Sequence, residues 1–392
     1  MKREIWKVVG LLSIIVFMLS TAASAHAATL TTVIPSSTID QTAVVYANGY
    51  IFVASYFGDN VEVISDTTNT QIASLQVPLG APYGLAYDSV KGEIWIATSG
   101  GACAISDSPP FNSVVNVTDS IGFVQAAFDA KTGEVFMSFN GPIIVISDSS
   151  NTVIANITQS VTGIVDDSDK SEIFASQYLD ESGLSSGNVY VISAKTNTIT
   201  ATIPVTGVPG GLVYDSGKGE IFVAVGSTIQ VISDSTNKVV DTINLQAGMM
   251  AYNPNKGEIY SSTGSSLAII SDKTNGVVET VNINGTLSYA GGLAYDSGTS
   301  TIYAVNSEGS ETGTLGSVAV ISDPSSSSSS SSPASTPTSS TSTGTSASAS
   351  PATSPTVPEF SGVALVSVAA VLAIVTMCAV ALTVRKRKQL RT

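Results

Sequence analysis

Short β-type runs recur along the chain at nearly constant spacing. Apolar or β-branched residues alternate with polar ones, and turns rich in Asp, Asn and Gly separate the runs. A tetrapeptide of the type Val-Ile-Ser-Asp ends every 38 to 51 residues, at Asp66, Asp107, Asp148, Ala194, Asp234, Asp272 and Asp323. A second segment precedes each copy and reads, in one unit, GLVYDSGKGEIFVA from Gly211. The second segment predicts the first two strands of each unit and the tetrapeptide predicts the third. The residues after the tetrapeptide, as at Thr196–Val205, predict the fourth strand.

Four-stranded units of this length are typical of propeller blades, so the sequence predicts an all-β, seven-bladed β-propeller. The seventh unit lacks a fourth strand, because proline and serines follow Asp323 at once. The segment Thr29–Ile34 resembles the fourth strand at Thr200–Val205. We expect the N-terminal strand to complete blade seven and close the ring, which leaves no open edge between blades.

One aromatic side chain occupies the same position of the second strand in every unit. We expect this stripe to pack between blades rather than to bind a ligand. Its members are Phe52, Trp95, Phe136, Phe174, Phe222, Tyr260 and Tyr303.

The unit VYVISAKTNTITATIPV at Val189–Val205 resembles the YVTN-repeat propellers, a family within the YVTN/WD-repeat-like superfamily. That family includes archaeal surface-layer proteins and bacterial YncE-type periplasmic proteins. The motif that names it appears here as Tyr-Ala-Val-Asn at Tyr303–Asn306, and the resemblance extends from about Thr29 to Asp323. It implies a surface or envelope role and supplies no catalytic residue.

The N-terminus has the layout of a secretory signal peptide, residues 1–27. Lys2, Arg3 and Lys7 precede an apolar run and then small residues, which places cleavage after Ala25 or Ala27. The alternative is a short N-terminal anchor helix, but its apolar core is short for a membrane span. The propeller ectodomain is then assigned to residues 28–323.

The C-terminal part divides into three segments. Residues 324–360 form a Ser/Thr/Pro-rich stalk that is expected to be disordered and O-glycosylated. Residues 361–384 are uncharged and predict one transmembrane helix, and the basic residues 385–392 predict a cytoplasmic tail. The ectodomain is therefore expected on the extracellular face of the membrane.

A lipid anchor is the alternative to a permanent helix. Pro358-Glu-Phe360 lies directly before the apolar span, an arrangement that resembles the PEF-type sorting tails of archaea. The resemblance implies removal of the span and attachment of a lipid. Both readings place the protein in the same compartment.

The charge of the ectodomain argues against nucleic-acid binding. Of the 16 Lys and Arg, three lie in the signal segment and five in the tail, which leaves eight lysines and no arginine. They stand against 28 acidic residues, a net charge near −20. Such a surface repels phosphate backbones.

The residue inventory also argues against catalysis. The single histidine, His26, lies at the cleavage site, so the propeller has no Ser-His-Asp or Cys-His arrangement and no imidazole metal ligand. We expect no enzyme activity, no cofactor and no metal. The aspartates that recur in every unit are expected to cap turns. Calcium is the one candidate ion, although no DxDxDG loop is present.

Departures from the repeat mark a candidate binding site. The links between second and third strands are long in blades four and seven, and the link in blade one reads Ser55-Tyr-Phe-Gly-Asp-Asn60. We expect all of these links on one face of the propeller. Insertions on such a face commonly bind partners. Neutral loop variation is the alternative. The candidate residues are Tyr56, Phe57, Asp59, Tyr178, Asp180, Glu181, Glu308 and Glu311.

Three sequons, at Asn116, Asn156 and Asn284, fall at or near fourth strands and predict glycans on the rim. The combined expectation is a non-catalytic surface interaction, adhesion or surface-layer module that binds a surface protein or a glycan. The alternative is an envelope enzyme or solute-binding propeller with a carboxylate-lined channel and, in one version, calcium.

Overall fold

A computed structural model of the chain describes residues 27–38, 40–118, 125–138, 142–177, 187–283, 292–306 and 315–324. These residues belong to the first of two units, Met1–Ser328. The predicted stalk beyond residue 324, the transmembrane helix and the tail lie outside them, as do residues 1–26 of the signal segment. Within the described part, no helix is both long and apolar enough to span a bilayer.

The described residues form a seven-bladed β-propeller, with 28 strands in seven four-stranded antiparallel sheets. The N-terminal strand β1 spans Thr29–Pro35. The other strands follow in chain order, from the inside of each blade outward. Blade one contains β2 Gln41–Ala47, β3 Tyr50–Ser55, β4 Asn60–Ser65 and β5 Thr70–Gln76; blade two β6 Pro82–Asp88, β7 Glu93–Thr98, β8 Gly101–Ser106 and β9 Ser113–Thr118; blade three β10 Gln125–Asp129, β11 Glu134–Ser138, β12 Ile143–Ser147 and β13 Thr152–Ile157; blade four β14 Val161–Asp167, β15 Glu172–Gln177, β16 Gly187–Ser193 and β17 Thr198–Val205; blade five β18 Pro209–Asp215, β19 Glu220–Val225, β20 Thr228–Ser233 and β21 Lys238–Ile243; blade six β22 Met250–Asn253, β23 Glu258–Ser262, β24 Ser266–Ser271 and β25 Gly276–Asn282; blade seven β26 Leu293–Asp296, β27 Thr301–Asn306, β28 Ser317–Ser322 and, outermost, β1.

The first strands of the blades form an unbroken inner ring. Each one contacts the first strands of both neighbouring blades, in the order β2, β6, β10, β14, β18, β22, β26 and back to β2. The predicted fold class and blade number are thereby confirmed.

The hydrophobic core lies between blades and is divided into seven clusters, one at each junction. Second and third strands are buried on both faces, whereas fourth strands alternate between exposed and partly buried residues. The seven aromatic residues of the second strands are fully buried, as predicted. Each junction thus buries one large ring at its centre, and burial of such a side chain stabilises the fold by roughly 1.5–3 kcal/mol.

The N-terminal strand closes the ring by pairing antiparallel with β28, as the sequence predicts. Ile34 lies in the core shared by blades seven and one, and the Thr31 hydroxyl donates to the Val320 carbonyl at 2.9 Å. Blade seven therefore joins the two ends of the propeller chain in one sheet. Opening the ring requires the loss of a complete strand pair.

A group of polar side chains around the buried carboxylate of Glu62, here called the latch cluster, holds the connection from β1 to β2. Its members are Ser36, Ser37, Thr38, Gln41 and Glu62. The Glu62 carboxylate, 1% exposed, accepts from the Ser36 hydroxyl at 2.8 Å, the Ser37 hydroxyl at 2.6 Å and the Ser37 N–H at 3.0 Å. The Gln41 side chain donates to Ser36 Oγ at 2.6 Å. A carboxylate buried in blade one thus binds the segment that leaves the closing strand.

The latch cluster generates the first testable prediction. We expect Glu62→Ala to lower the free energy of unfolding by about 2–3 kcal/mol, because it leaves several donors without their acceptor. Denaturant unfolding measures this value. Asp241→Ala, at an exposed carboxylate on the outer strand of blade five, is the control and should change stability by less than about 0.5 kcal/mol. Equal stability of the two variants would show that the latch cluster does not hold the closure.

Candidate functional site

The connections between strands lie on two opposite faces of the propeller, because successive antiparallel strands run in opposite directions. Turns from first to second and from third to fourth strands form one face, here called the turn face. Links from second to third strands, and from each blade to the next, form the other, here called the loop face. The two faces use their polar residues in different ways.

Asx turns close the first hairpins on the turn face. In blade two, Asp88 Oδ1 accepts the backbone N–H groups of Val90 and Lys91 at 2.9 and 3.0 Å. Asp129, Asp167, Asp215, Asn253 and Asp296 make the same bonds in their blades. The predicted turn-capping role of the first-hairpin aspartates is confirmed.

The aspartates that follow third strands have a different role from the predicted turn cap. The backbone N–H of each of these aspartates donates to the backbone carbonyl of the residue before the second strand of the same blade. Asp234, for example, donates to the Gly219 carbonyl at 3.0 Å. Gly219 has φ +66°, and a Cβ atom there would lie 2.7 Å from Asp234 Oδ2. The glycine therefore lets the carboxylate lie against the backbone. Tyrosine hydroxyls donate to the carboxylates of several of these aspartates, as in Tyr87 Oη to Asp107 Oδ2 at 3.1 Å.

Lysines connect these carboxylates across blade junctions. Lys170 of blade four lies 3.0 Å from Asp234 of blade five, and Lys256 of blade six pairs with Asp323 of blade seven. Lys91 of blade two makes an equivalent contact with the Asp148 carboxylate of blade three. Lys218 of blade five also reaches the next blade, where it donates to the backbone carbonyl of Asp272. The recurring carboxylates of the turn face thus join neighbouring blades.

Blade four departs from this pattern at two positions. Ala194 replaces the aspartate after the third strand, and Asp166 occupies the first-strand position that is Tyr or Phe in the other blades. One oxygen of Asp166 is buried and has no hydrogen-bond partner among the described residues. Burial, followed by the negative charges of Asp129 and Asp167, raises the pKa of Asp166 to about 8, and Lys131 partly offsets this shift. Blade four therefore has a buried carboxyl group on its first strand and none directly after its third strand.

On the loop face, blade one presents an aromatic cluster. The Tyr56 ring lies 4.7 Å from the Phe57 ring, edge to face, and 4.7 Å from the Tyr83 ring of blade two. Phe57 is 53% exposed, and Asp59 of the same link is exposed. Burial, the Tyr56 hydroxyl and the charge of Asp40 together raise the pKa of Tyr83. Here the name Tyr56 cluster denotes Tyr56, Phe57, Asp59, Tyr83 and Asp40.

Backbone bonds hold the Tyr56 cluster at both ends of its link. The Tyr56 N–H donates to the Asp40 carbonyl at 3.0 Å, and the Asp59 carbonyl accepts from Val77 N–H at 2.8 Å. Gly58 allows close packing, since a Cβ atom there would lie 2.8 Å from Thr38 Cγ2. Thr38 belongs to the latch cluster, so the ring closure also positions this link.

Three of the eight predicted binding residues, Tyr56, Phe57 and Asp59, therefore lie in one cluster. The other five lie outside the described residues: Tyr178, Asp180, Glu181, Glu308 and Glu311. The sequence analysis missed Tyr83 and Asp40. A signal for Tyr83 exists, because the equivalent residues in other first strands are small, such as Thr42, Thr162 and Gly210.

Two predicted glycosylation sites lie on outermost strands. Asn116 is exposed on β9 and Asn156 is exposed on β13. Asn284 lies outside the described residues. Both described asparagines are placed where an attached glycan would point away from the core.

The described residues contain no group of three or more metal-ligating side chains that could hold an ion. Cys103 is fully buried, and burial raises the pKa of its thiol to about 12, so at neutral pH the reactive thiolate is not populated.

Comparison with known proteins identifies the fold and no family. No family model matches the chain, and no curated protein matches its sequence. Among solved structures, the Cps50 (Swd1) β-propeller domain of Myceliophteria thermophila is 12% identical with a TM-score of 0.61, covering 75% of this chain and 99% of that one. Hydrazine synthase of Kuenenia stuttgartiensis is 10% identical with a TM-score of 0.59, covering 73% and 97%. The chain shares the propeller fold. At such low identity, the likeness extends to the fold alone.

The environment of Asp166 generates the second prediction. Because its pKa is raised in the fold, the folded chain holds a proton that the unfolded chain loses above its ordinary pKa of 3.8. Proton binding by Asp166 therefore contributes its full free energy to folding below about pH 3.8, and this contribution is lost as the pH rises to about 8. We expect the wild-type Tm to fall more steeply than that of Asp166→Asn between about pH 5 and pH 9, as followed by thermal unfolding.

Asp241→Asn, at an exposed acid on the rim, is the matched control and should retain the wild-type slope. If Asp166→Asn shows the wild-type pH dependence, Asp166 does not bind a proton on folding.

Proposed function

We propose that the protein is a non-catalytic interaction module at the cell surface and that its loop face binds a surface protein or a glycan. The observation that carries this proposal is the Tyr56 cluster. It places an exposed aromatic residue and an exposed carboxylate on a link that is held at both ends by backbone bonds. A prearranged aromatic surface binds partners at low entropic cost.

The contrast between the two faces supports this assignment. Carboxylates of the turn face are engaged in turns and blade junctions, as the Asp88 and Lys170–Asp234 contacts illustrate. The loop face has links of unequal length, from the two residues between β19 and β20 to the nine between β15 and β16 and the ten between β27 and β28. Variable links on a regular scaffold are common positions for binding residues. Propellers also commonly serve as interaction modules.

Surface display is proposed from the two ends of the sequence. The signal-type N-terminus and the uncharged span with its basic flank favour an extracellular propeller on a Ser/Thr/Pro-rich stalk. The resemblance to YVTN-repeat propellers favours the same compartment. Glycans at the exposed Asn116 and Asn156 would cover part of the outer strands of blades two and three.

The third prediction tests the loop face. Labelled full-length protein is applied to cells of its own source that lack the protein, and bound label is measured. Replacement of residues 178–186 by Gly-Asn, combined with Tyr56→Ala, should reduce binding about tenfold or more, because it removes two parts of the proposed surface. Blade five shows that a two-residue link suffices for the fold.

The control is Val90→Ala, at a residue of the turn face that is 66% exposed. It should bind like the wild type. Undiminished binding by the loop-face variant, with its Tm preserved, would assign the partner to another surface.

The fourth prediction concerns the anchor. If the span is a permanent helix, the intact mass of the native protein includes the peptide 385–392. If Pro358-Glu-Phe360 directs processing, that peptide is absent and a lipid-sized mass is present. A secreted species with neither the tail nor a lipid would contradict membrane display.

A further inference from the structure

Positive charge in the propeller is confined to one face. All eight lysines of residues 28–357 lie in, or directly beside, turns of the turn face: Lys91, Lys131, Lys170, Lys195, Lys218, Lys238, Lys256 and Lys273. No arginine occurs in this range. The described part of the loop face carries the exposed Asp59 and the half-buried Asp40, and no basic side chain.

The links of the loop face that lie outside the described residues do not change this balance. Their sequences contain no lysine or arginine, and they add only acids: Asp119, Asp180, Glu181, Glu308 and Glu311. On the turn face, in contrast, lysines neutralise neighbouring carboxylates, as in Lys170–Asp234 and Lys256–Asp323. No link of the loop face therefore supplies a lysine or arginine next to the exposed Asp59 carboxylate, and such a carboxylate attracts positively charged partners over a distance of about one Debye length, roughly 8–10 Å.

The Tyr56 cluster combines this charge with aromatic rings. Phe57 presents more than half of its surface to solvent, next to Tyr56 and two residues before the exposed Asp59. An arginine or lysine side chain can lie on an aromatic face while its charged end reaches a neighbouring carboxylate. Neutral sugars would stack on the same rings, but they would gain nothing from the charge of this face.

We propose that the Tyr56 cluster binds a cationic side chain, arginine or lysine, presented by a partner protein. This proposal rests on the proposed function and specifies the chemistry of its partner. The backbone bonds from Tyr56 to Asp40 and from Val77 to Asp59 hold the backbone of the link before binding, and the Tyr56 ring packs against Phe57 and Tyr83. Little conformational entropy is then lost when the cation enters, which favours affinity.

The probe for the test is a fluorescent (Gly-Arg)₄ peptide, with (Gly-citrulline)₄ as its uncharged analogue. Binding to the purified full-length chain is measured by fluorescence polarisation at about 50 and 300 mM salt. We expect the arginine peptide to bind, more weakly at the higher salt, and the citrulline peptide to bind at least about tenfold more weakly at the lower salt.

Two double variants then separate the Tyr56 cluster from the overall charge of the chain. Phe57→Ala with Asp59→Asn should weaken binding of the arginine peptide about tenfold, because each group contributes a few-fold. Asn tolerates the positive φ of +48° at position 59, so the backbone is retained. Val90→Ala with Asp241→Asn trims an exposed apolar side chain on the turn face and removes one exposed carboxylate from the rim, and should weaken binding less than about twofold.

An equal loss in both double variants would overturn the proposal, since attraction to the overall charge would then explain binding. Equal binding of the citrulline peptide would also overturn it. If the arginine peptide does not bind but the cell-binding result of the loop-face experiment holds, the cationic partner is wrong and the proposed function stands. If the peptide binds at the Tyr56 cluster but the cell binding is absent, the cation site stands and the surface role fails.

Discussion

Closure of the ring is the constraint on which the rest of this structure depends. Each blade buries its second and third strands against the two neighbouring blades, so an open ring would expose two apolar sheet faces to water. Pairing of β1 with β28 prevents this exposure by placing both ends of the propeller chain in one sheet. No disulfide contributes, because Cys103, the one cysteine of the propeller, is free and buried.

The same closure builds the candidate site. The segment after β1 carries the latch cluster and then Asp40, whose carbonyl accepts the Tyr56 N–H. Thr38 Cγ2 also lies where a side chain at position 58 would be placed. Stability and the geometry of the Tyr56 cluster are therefore coupled: a change that loosens the closing strand also releases one end of the proposed binding link.

Sequence reasoning predicted features that are encoded within one repeat. Blade number, the buried aromatic of each second strand and the first-hairpin turns follow from residues close together in the chain. The closing strand was also predictable, because its sequence resembles the fourth strand of blade four.

Features shared by two repeats were not predictable. Lys170 and Asp234 are 64 positions apart and meet only because blades four and five are adjacent. For the same reason, Tyr56 was found as a departure in its own link, whereas its contact with Tyr83 of blade two was missed. The spacing of residues within one repeat predicts the structure of a single blade. Contacts between side chains of different blades depend on how the blades are arranged in the closed ring.

The separation of the two faces explains how a regular fold can carry an individual site. A change in an aspartate or lysine of the turn face alters a contact between neighbouring blades, such as Lys170–Asp234. Links of the loop face can change length without altering the packed strands, because their ends are fixed by β-pairing. Lysines that contact the next blade, such as Lys170 and Lys256, place their positive charge on the turn face. Because the links of the loop face contain no lysine or arginine, a partner of that face meets acidic side chains without neighbouring basic ones in the sequence.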